Sequence, residues 1–152
     1  MKQATKIIEE IKNGQADELL TDIYVDNSLL ETQKTRYIAA INKFIELYGD
    51  KEVEVFSAPG RSEVSGNHTD HQHGEVLAAA INLDIIAITA PKEGEVKVLS
   101  DDYDLKAVSI TDLDKKEEEI GTSEGLIRGT LARFKELGLH IGGFEAYMTS
   151  EV

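Results

Sequence analysis

The residues best suited to chemistry lie in one polar segment, Ala58 to Glu75, where nearly every side chain is small, polar or ionisable. Arg61 is the only lysine or arginine between Lys51 and Lys92. A guanidinium beside backbone glycines can clamp a carboxylate or phosphate, or stabilise charge on a transferred phosphoryl group. Its plainer role would be an ion pair with a carboxylate of the same segment, and composition alone leaves both interpretations open.

Two further side chains of the segment could hold a polyol. His68 and Asp70 are two residues apart and would face the same side of an extended backbone. A carboxylate accepts hydrogen bonds from sugar hydroxyls, and a neutral imidazole can both donate and accept. The alternative is an Asx-type turn, in which Asn67 and Asp70 satisfy local backbone amides. The residue types do not choose between the two.

The same segment raises a metal hypothesis, because His68, His71 and His73 with Asp70 supply enough ligands for zinc. Their spacing matches no helical His-x-x-x-His arrangement, and hydrogen bonding and proton transfer are common uses of a loop histidine. We therefore predict no native metal site and keep a zinc-binding interaction module as an alternative. No complete Walker loop or dinucleotide fingerprint is present either.

Composition narrows the class of protein. The 152 residues suit a single domain with a real core. The 16 lysines and arginines against 29 acidic residues give a net charge of −13, which argues against binding to nucleic acids or anionic membranes. The absence of cysteine excludes disulfides and thiolate catalysis. The first twelve residues do not resemble a secretory signal, and the longest apolar run, 76–90, is too short to span a bilayer. A cytoplasmic protein is expected.

The elements that position the polar segment can be predicted from periodicity. Residues 1–50 are predicted to form a helical amino-terminal segment with three helices. Isoleucines recur at helical spacing in the first, and the second covers residues 16–23. Ser28 stands three residues before Glu31, as in a capping box for the third helix. Gly49 supplies its expected end.

From residue 51 the pattern predicts strands. Val53 and Val55 alternate with glutamates, and an aliphatic, mostly β-branched run extends from Ile81 to Ile88. The turn over 91–95 is expected to join this run to a strand at 96–98 as an antiparallel pair. Three shorter segments complete the pattern: a strand over 105–110, a solvated loop or helix start over 112–119, and a strand over 144–148.

A final helix is predicted from a cap at Thr122 or Ser123 to Gly138. Gly125 and Gly129 would weaken it by roughly 1 kcal/mol each relative to alanine. We interpret this cost as a sign that the helix approaches the sheet closely. The expected fold is α+β, with a mixed, largely antiparallel sheet covered by helices.

The polar segment also carries a family resemblance. Ala58-Pro-Gly-Arg, then Gly66-Asn-His-Thr-Asp-His, then Gly74-Glu-Val-Leu-Ala-Ala-Ala-Ile closely resembles the galactokinase signature of the GHMP sugar-kinase superfamily. That signature usually reads Gly-Arg-x-Asn-aliphatic-Ile-Gly-Glu-His-x-Asp-Tyr, followed by Gly-x-Val-Leu. The resemblance covers roughly residues 50 to 152. It implies that 51–152 form part of the superfamily's amino-terminal domain, which has the ribosomal protein S5 domain 2-like fold.

The resemblance implies a reaction and roles for individual residues. The family transfers the γ-phosphoryl group of ATP to the anomeric hydroxyl of galactose, with magnesium. Arg61 would stabilise the transferring phosphoryl group and help to activate the sugar hydroxyl. Ser100, at the end of a strand, would fall at a nucleotide contact. The sugar would be held by four neighbouring polar side chains: Asn67, His68, Thr69 and Asp70.

Among the positions that depart from the signature, three limit what the resemblance implies about the ligand. Glu63 replaces the usual asparagine, Asn67 the usual glutamate and His71 the usual tyrosine. The amide of Asn67 carries no charge, so the preference for particular sugar hydroxyls would be altered. Two alternatives to a galactokinase follow: another GHMP sugar-kinase specificity, and a non-catalytic galactokinase-like sugar sensor.

The resemblance also implies that part of the enzyme lies elsewhere. The family's ATP-phosphate loop, catalytic aspartate and magnesium ligands come after the last strand of this chain. We therefore expect an amino-terminal portion without the carboxyl-terminal domain, inactive by itself and binding neither ATP nor magnesium. A sugar is its expected partner. Apolar surface left uncovered by the missing domain would favour self-association.

Overall fold

The fold is a mixed sheet with helices on both faces. The structure is a computed structural model in which residues 1–66 and 73–152 are described. Within these residues no helix combines the length and hydrophobicity needed to cross a bilayer. The helices and strands follow in this order: β1 (Lys2–Gln3), α1 (Ala4–Lys12), α2 (Asp17–Tyr24), α3 (Leu30–Tyr48), β2 (Glu52–Ser65), β3 (Leu77–Pro91), β4 (Glu95–Ser100), β5 (Tyr103–Asp104), β6 (Val108–Ser109), α4 (Ser123–Glu136) and β7 (Phe144–Ser150).

The strands form one sheet in the order β1-β2-β3-β7-β4-β5, and β6 pairs with β4. Only β4 and β7 pair in parallel, and the remaining pairs of described strands are antiparallel. The predicted fold class, a mixed and largely antiparallel sheet covered by helices, is confirmed.

Two cores lie on opposite faces of this sheet. On one face α3 buries Ile41 and Phe44, both 0% exposed, against Ile88 of β3 in a cluster that α1 and α2 complete. On the other face Leu131 of α4 packs on a cluster that includes Ala146 of β7. Successive strand residues point to opposite faces, so β7 contributes to both cores. The amino-terminal helices therefore share a core with the sheet.

The amino-terminal helices form where the periodicity predicts them, but the predicted cap of the third is wrong. Asp26, not Ser28, provides the capping side chain: its Oδ1 accepts from Ser28 N at 2.8 Å and closes a short 3₁₀ turn. The N–H of Leu30 is satisfied by Asn27 O of that turn, so α3 begins without a side-chain cap. The predicted end is confirmed, because Gly49 adopts φ +84° and donates its N–H to a helix carbonyl.

The predicted antiparallel pair of β3 and β4 is wrong. Strand β7 lies between them and pairs with both. A tight approach at Gly143 makes room for this insertion: Lys92 N donates to Gly143 O at 3.1 Å, and a Cβ on Gly143 would lie 2.9 Å from Glu95 N. The turn before β4 therefore connects two strands that are consecutive in the sequence but not adjacent in the sheet.

The last helix is confirmed, with Thr122 as its cap, since Thr122 Oγ1 accepts from Gly125 N at 3.1 Å. The interpretation of its glycines is wrong. A Cβ on Gly125 would meet the backbone of Glu119 in the preceding turn, not the sheet, and a Cβ on Gly129 would meet nothing within 4 Å. The strand predicted over 105–110 forms only at Val108–Ser109.

Candidate functional site

The candidate site is the end of the β2–β3 hairpin that projects beyond the helices. The polar segment predicted to be loop from Ala58 onwards is strand as far as Ser65. Arg61, Ser62 and Glu63 pair with alanines of β3, and this pairing satisfies the backbone groups although the side chains are exposed. Alternation of apolar residues, on which strand prediction depends, is not needed where neither face is buried.

The hairpin contains a break in its register just before Arg61. Pro59 pairs with Asp84 and Arg61 pairs with Ala80, so the pairing advances two residues on β2 but four on β3. The extra residues of β3, at 81–83, form a bulge. Bulges bend a strand and re-aim the side chains beyond them, and they are common beside active sites.

Arg61 is exposed on the far side of this break. By strand alternation its side chain belongs to the same face as Ser57 and Pro59. No ion pair or side-chain hydrogen bond links Arg61 to another residue of the described part of the chain. Among these residues, nothing occupies its guanidinium. Its assignment to phosphoryl charge stays a prediction.

The predicted sugar-binding residues Asn67, His68, Thr69 and Asp70 lie outside the described residues, as does His71 of the zinc hypothesis. Of the residues that flank this segment, Gly66 directly follows the end of β2, five residues beyond Arg61. In 1–66 and 73–152 no group of three or more metal-ligating side chains could hold a metal ion.

A cavity of about 470 Å³ lies under the hairpin, between its inner face and the end of α2. Its polar lining comes from Tyr24, Ser57, Asn82 and Asp84. Ala80, the cross-strand partner of Arg61, also lines it, so Arg61 lies on the strand face that borders the cavity. The space therefore adjoins the predicted site.

Sequence reasoning missed Asp84, a carboxylate only 2% exposed in the middle of the aliphatic run of β3. It accepts hydrogen bonds from Ser57 Oγ at 2.5 Å, from Arg36 Nη1 at 2.5 Å and from Tyr24 Oη at 2.7 Å. The signal was available: a buried carboxylate is costly unless it is paired, so an aspartate among isoleucines predicts buried partners.

The charge state of Asp84 follows from these contacts. Burial by itself would raise the pKa of Asp84, but the hydrogen bonds to its carboxylate and the charge of Arg36 outweigh it and hold the pKa below its usual value. For Tyr24 every cause acts in one direction, since burial, the contact with Tyr37 and the contact with Asp84 all raise the pKa of its phenol. Asp84 is therefore ionised, and it lies beside neutral tyrosines and a charged Arg36.

Ser100, the predicted nucleotide contact, lies at the end of β4 and pairs with Tyr103 and Met148. Across the sheet, Ser100 is level with Met148 of β7 and, through the next two strand pairings, with Phe56 of β2. Arg61 is five residues further along β2 and three strands away, which corresponds to about 20 Å. The structure therefore does not bring Ser100 and Arg61 together, and the assignment of Ser100 stays a prediction.

Comparison with known proteins identifies this region. Residues 42–91 match the galactokinase galactose-binding signature. The chain is 33% identical to a galactokinase of Lactococcus lactis subsp. lactis over 129 residues, which cover 82% of this chain and 32% of that protein. A galactokinase of Clostridium tetani is 27% identical over 111 residues, covering 72% and 28% respectively. The chain thus spans about a third of the length of these relatives.

The fold leads to the same relatives. A crystal structure of Lactococcus lactis galactokinase complexed with galactose superposes with a TM-score of 0.62 at 30% sequence identity, covering 73% of this chain and 30% of that one. The matched signature spans the end of α3 and both strands of the hairpin, including Arg61. The recognition made from the polar segment is therefore confirmed: the chain carries the galactose-binding signature of the galactokinases and is similar to them in sequence and in fold.

Proposed function

We propose that this chain is the sugar-binding portion of a galactokinase-like enzyme, which phosphorylates galactose at its anomeric hydroxyl with ATP. The observation that carries the proposal is the galactose-binding signature over 42–91, because it coincides with the hairpin that presents Arg61. The solved relative that holds galactose supports the same ligand. The reaction belongs to the cytoplasm, where ATP is supplied.

The proposed roles follow from the chemistry of the side chains. Arg61 stabilises the negative charge that develops during phosphoryl transfer, because a planar guanidinium presents several donors to phosphate oxygens. The sugar hydroxyls are bound by a carboxylate, an imidazole, an amide and a hydroxyl from the segment that follows β2 in the sequence: Asp70, His68, Asn67 and Thr69.

The nucleotide and magnesium require residues from the rest of the enzyme. The described residues contain no cluster that fits a metal ion, so no step is assigned to magnesium here. Ser100 is followed by Asp101 and Asp102, whose charges disfavour a triphosphate beside it. A contact from Ser100 would therefore be to the base or ribose of ATP. We propose that the chain alone does not phosphorylate galactose.

One surface supports self-association of the chain. On the sheet face that α4 covers at β4 and β7, no helix among residues 1–66 and 73–152 covers the β2–β3 part, and Phe56 is 56% exposed there. Leu83 of the bulge is 43% exposed. Exposed apolar patches of this kind mark association surfaces. Analytical ultracentrifugation of wild type and Phe56→Ser tests this, and a concentration-independent monomer in the wild type would contradict it.

Calorimetric titration with galactose tests the sugar-binding proposal. Wild type is expected to bind, and Asp70→Asn is expected to raise Kd about tenfold or more, because hydrogen bonds to a charged group are worth roughly 1.5–3 kcal/mol. The matched control is Asp114→Asn, a charge change at an exposed position remote from the hairpin. Absence of galactose binding by the wild type would refute the proposal.

The departure at Asn67 favours a second candidate, a kinase or sensor for a different sugar. Titration with glucose, which differs from galactose only at the fourth carbon, separates the two. Tighter binding of glucose than of galactose would support the alternative. A gain of galactose affinity in Asn67→Glu would show that position 67 sets the preference.

A further inference from the structure

The buried contacts around Asp84 lie next to the register break that precedes Arg61. We propose that Asp84 and Arg36 are positioning residues, which clamp the base of the β2–β3 hairpin and thereby set where Arg61 and the other strand residues beyond the register break project. Only the last step, the effect on sugar binding, rests on the proposed function.

The location of Asp84 is the first argument. It pairs with Pro59 immediately before the register break, two residues from Arg61 along β2. Its carboxylate holds Ser57 of β2, Tyr24 of α2 and Arg36 of α3. Three elements that are distant in sequence therefore meet on one side chain at the point where the hairpin leaves the helices.

The backbone at this point is held as well. Arg36 Nη2 donates to Asp84 O at 2.9 Å and to Thr149 O at 3.4 Å, and Glu151 N donates to Asp84 O at 3.0 Å. A bulge leaves strand carbonyls without their ladder partners. The guanidinium of Arg36 and the end of β7 supply replacement donors at the residue where the bulge begins.

The paired residues of the hairpin beyond the break have no apolar core against them. Arg61–Ser65 and Leu77–Ala80 are all exposed. Apolar packing therefore does not set the direction of this part of the hairpin, and directional contacts at its base do. Directional hydrogen bonds define one geometry there, whereas an apolar side chain at position 84 would allow several packings.

Asp84 does not act on a ligand directly. Its Oδ2 accepts from Ser57 and Tyr24 and its Oδ1 from Arg36, so the carboxylate is already satisfied although it lines the cavity. Any effect on the sugar must pass through the position of the hairpin. A variant should consequently change hairpin order and ligand affinity together.

The test compares Asp84→Asn with Glu145→Gln. Glu145 is also a buried carboxylate, 3% exposed, with lysine partners at Lys51 and Lys92. It lies on β7 opposite Ala90, at the other end of β3 from the hairpin break. Both variants therefore remove one buried negative charge from the same sheet, but only one does so at the hairpin base.

Hydrogen exchange of individual amides and galactose titration are measured on both variants of the full 152-residue chain. Asp84→Asn is expected to speed exchange at 61–65 and 77–80 about tenfold, because local opening of the hairpin becomes easier, and to raise the Kd for galactose about tenfold, because the groups that bind the sugar are displaced. Glu145→Gln is expected to leave both unchanged. Unaltered hairpin exchange in Asp84→Asn, or equal loosening in Glu145→Gln, would overturn the inference.

Two milder variants keep the test decisive if Asp84→Asn does not fold. Ser57→Ala and Tyr24→Phe each remove one donor to Asp84, and each should speed hairpin exchange severalfold. Unchanged hairpin exchange in both of these variants would overturn the inference. Failure of the wild type to bind galactose would instead count against the proposed function, because the exchange measurement needs no ligand.

Discussion

The two halves of the β2–β3 hairpin, below and above the register break, are stabilised in different ways. Below the register break, Val53 and Ile88 are buried under α3, and the strands are stabilised by apolar packing. Above the break every residue of β2 is exposed, and backbone pairing joins the two strands without a buried core. The half that apolar packing stabilises is therefore distinct from the half that carries Arg61, and Asp84 lies at their boundary.

Removal of the cation at that boundary should have the largest effect on folding. Arg36→Met leaves the carboxylate of Asp84 buried without its partner, which costs about 3–5 kcal/mol for such pairs. Urea unfolding at neutral pH measures the loss. The control is Arg133→Met, since Arg133 is 66% exposed in its pair with Glu136 and should change stability little. Equal losses in both variants would contradict a boundary role.

A core deletion in the lower half should have the next largest effect. Ile88 is 0% exposed, so Ile88→Ala is expected to cost about 3 kcal/mol through lost burial and a residual cavity. Leu77→Ala in the upper half, where Leu77 is 62% exposed, should cost less than about 0.5 kcal/mol. The denaturant midpoints of the two variants measure these losses. Similar midpoints would contradict the distinction between the two halves of the hairpin.

Loss of one hydroxyl at the boundary should have an intermediate effect. Tyr24→Phe removes the donor 2.7 Å from Asp84 and breaks the contact of 3.1 Å with Tyr37 Oη. The expected loss is about 1 kcal/mol, the usual net value of a buried hydrogen bond. The exposed counterpart is Tyr103→Phe, since Tyr103 is 79% exposed and no loss is expected. A stability gain in Tyr24→Phe would show that the network is strained.

Acid should weaken the same boundary. Because the pKa of Asp84 is lower in the fold than in the unfolded chain, its ionisation stabilises the protein above about pH 3.9. That contribution is lost as the pH falls through the lowered pKa. The free energy of unfolding, measured between pH 6 and pH 2 (roughly the range in which carboxyl groups titrate), should therefore fall less steeply with decreasing pH in Asp84→Asn than in the wild type. Parallel curves would contradict the assigned charge state.

The smallest effect on stability is expected at the site itself. Arg61 is exposed and has no partner among the described residues, so Arg61→Ala should change the free energy of unfolding by less than about 0.5 kcal/mol. Thermal unfolding measures this. A clear loss of stability would indicate that Arg61 supports the hairpin and is not free for a ligand.

Local elements could be predicted well because their signals are short-range. The isoleucines of α1, the stop at Gly49 and the cap at Thr122 each act within a few residues, and all three are confirmed. The capping box at Ser28 failed for a local reason too, since Asp26 competes for the same amide. Competition between neighbouring polar side chains is difficult to resolve without coordinates.

Strand pairing could not be predicted in the same way. The partner of β4 is β7, which begins more than forty residues later, and nothing near the turn at 91–95 indicates that a third strand enters. The extent of β2 was missed because exposed strands need no apolar alternation. Pairing between distant segments depends on loop closure and on the whole sheet, not on local propensity.

The residue types of the polar segment, its similarity to the galactokinase signature and the apolar faces of the helices could all be read from the sequence, because residue type, motif spacing and helical period are local properties. Three features required the folded chain: β7 separates β3 from β4, the hairpin breaks register before Arg61, and Tyr24, Arg36 and Asp84 share one buried network. The reason is that these contacts join residues up to 113 positions apart, and their energies exist only once the sheet has formed.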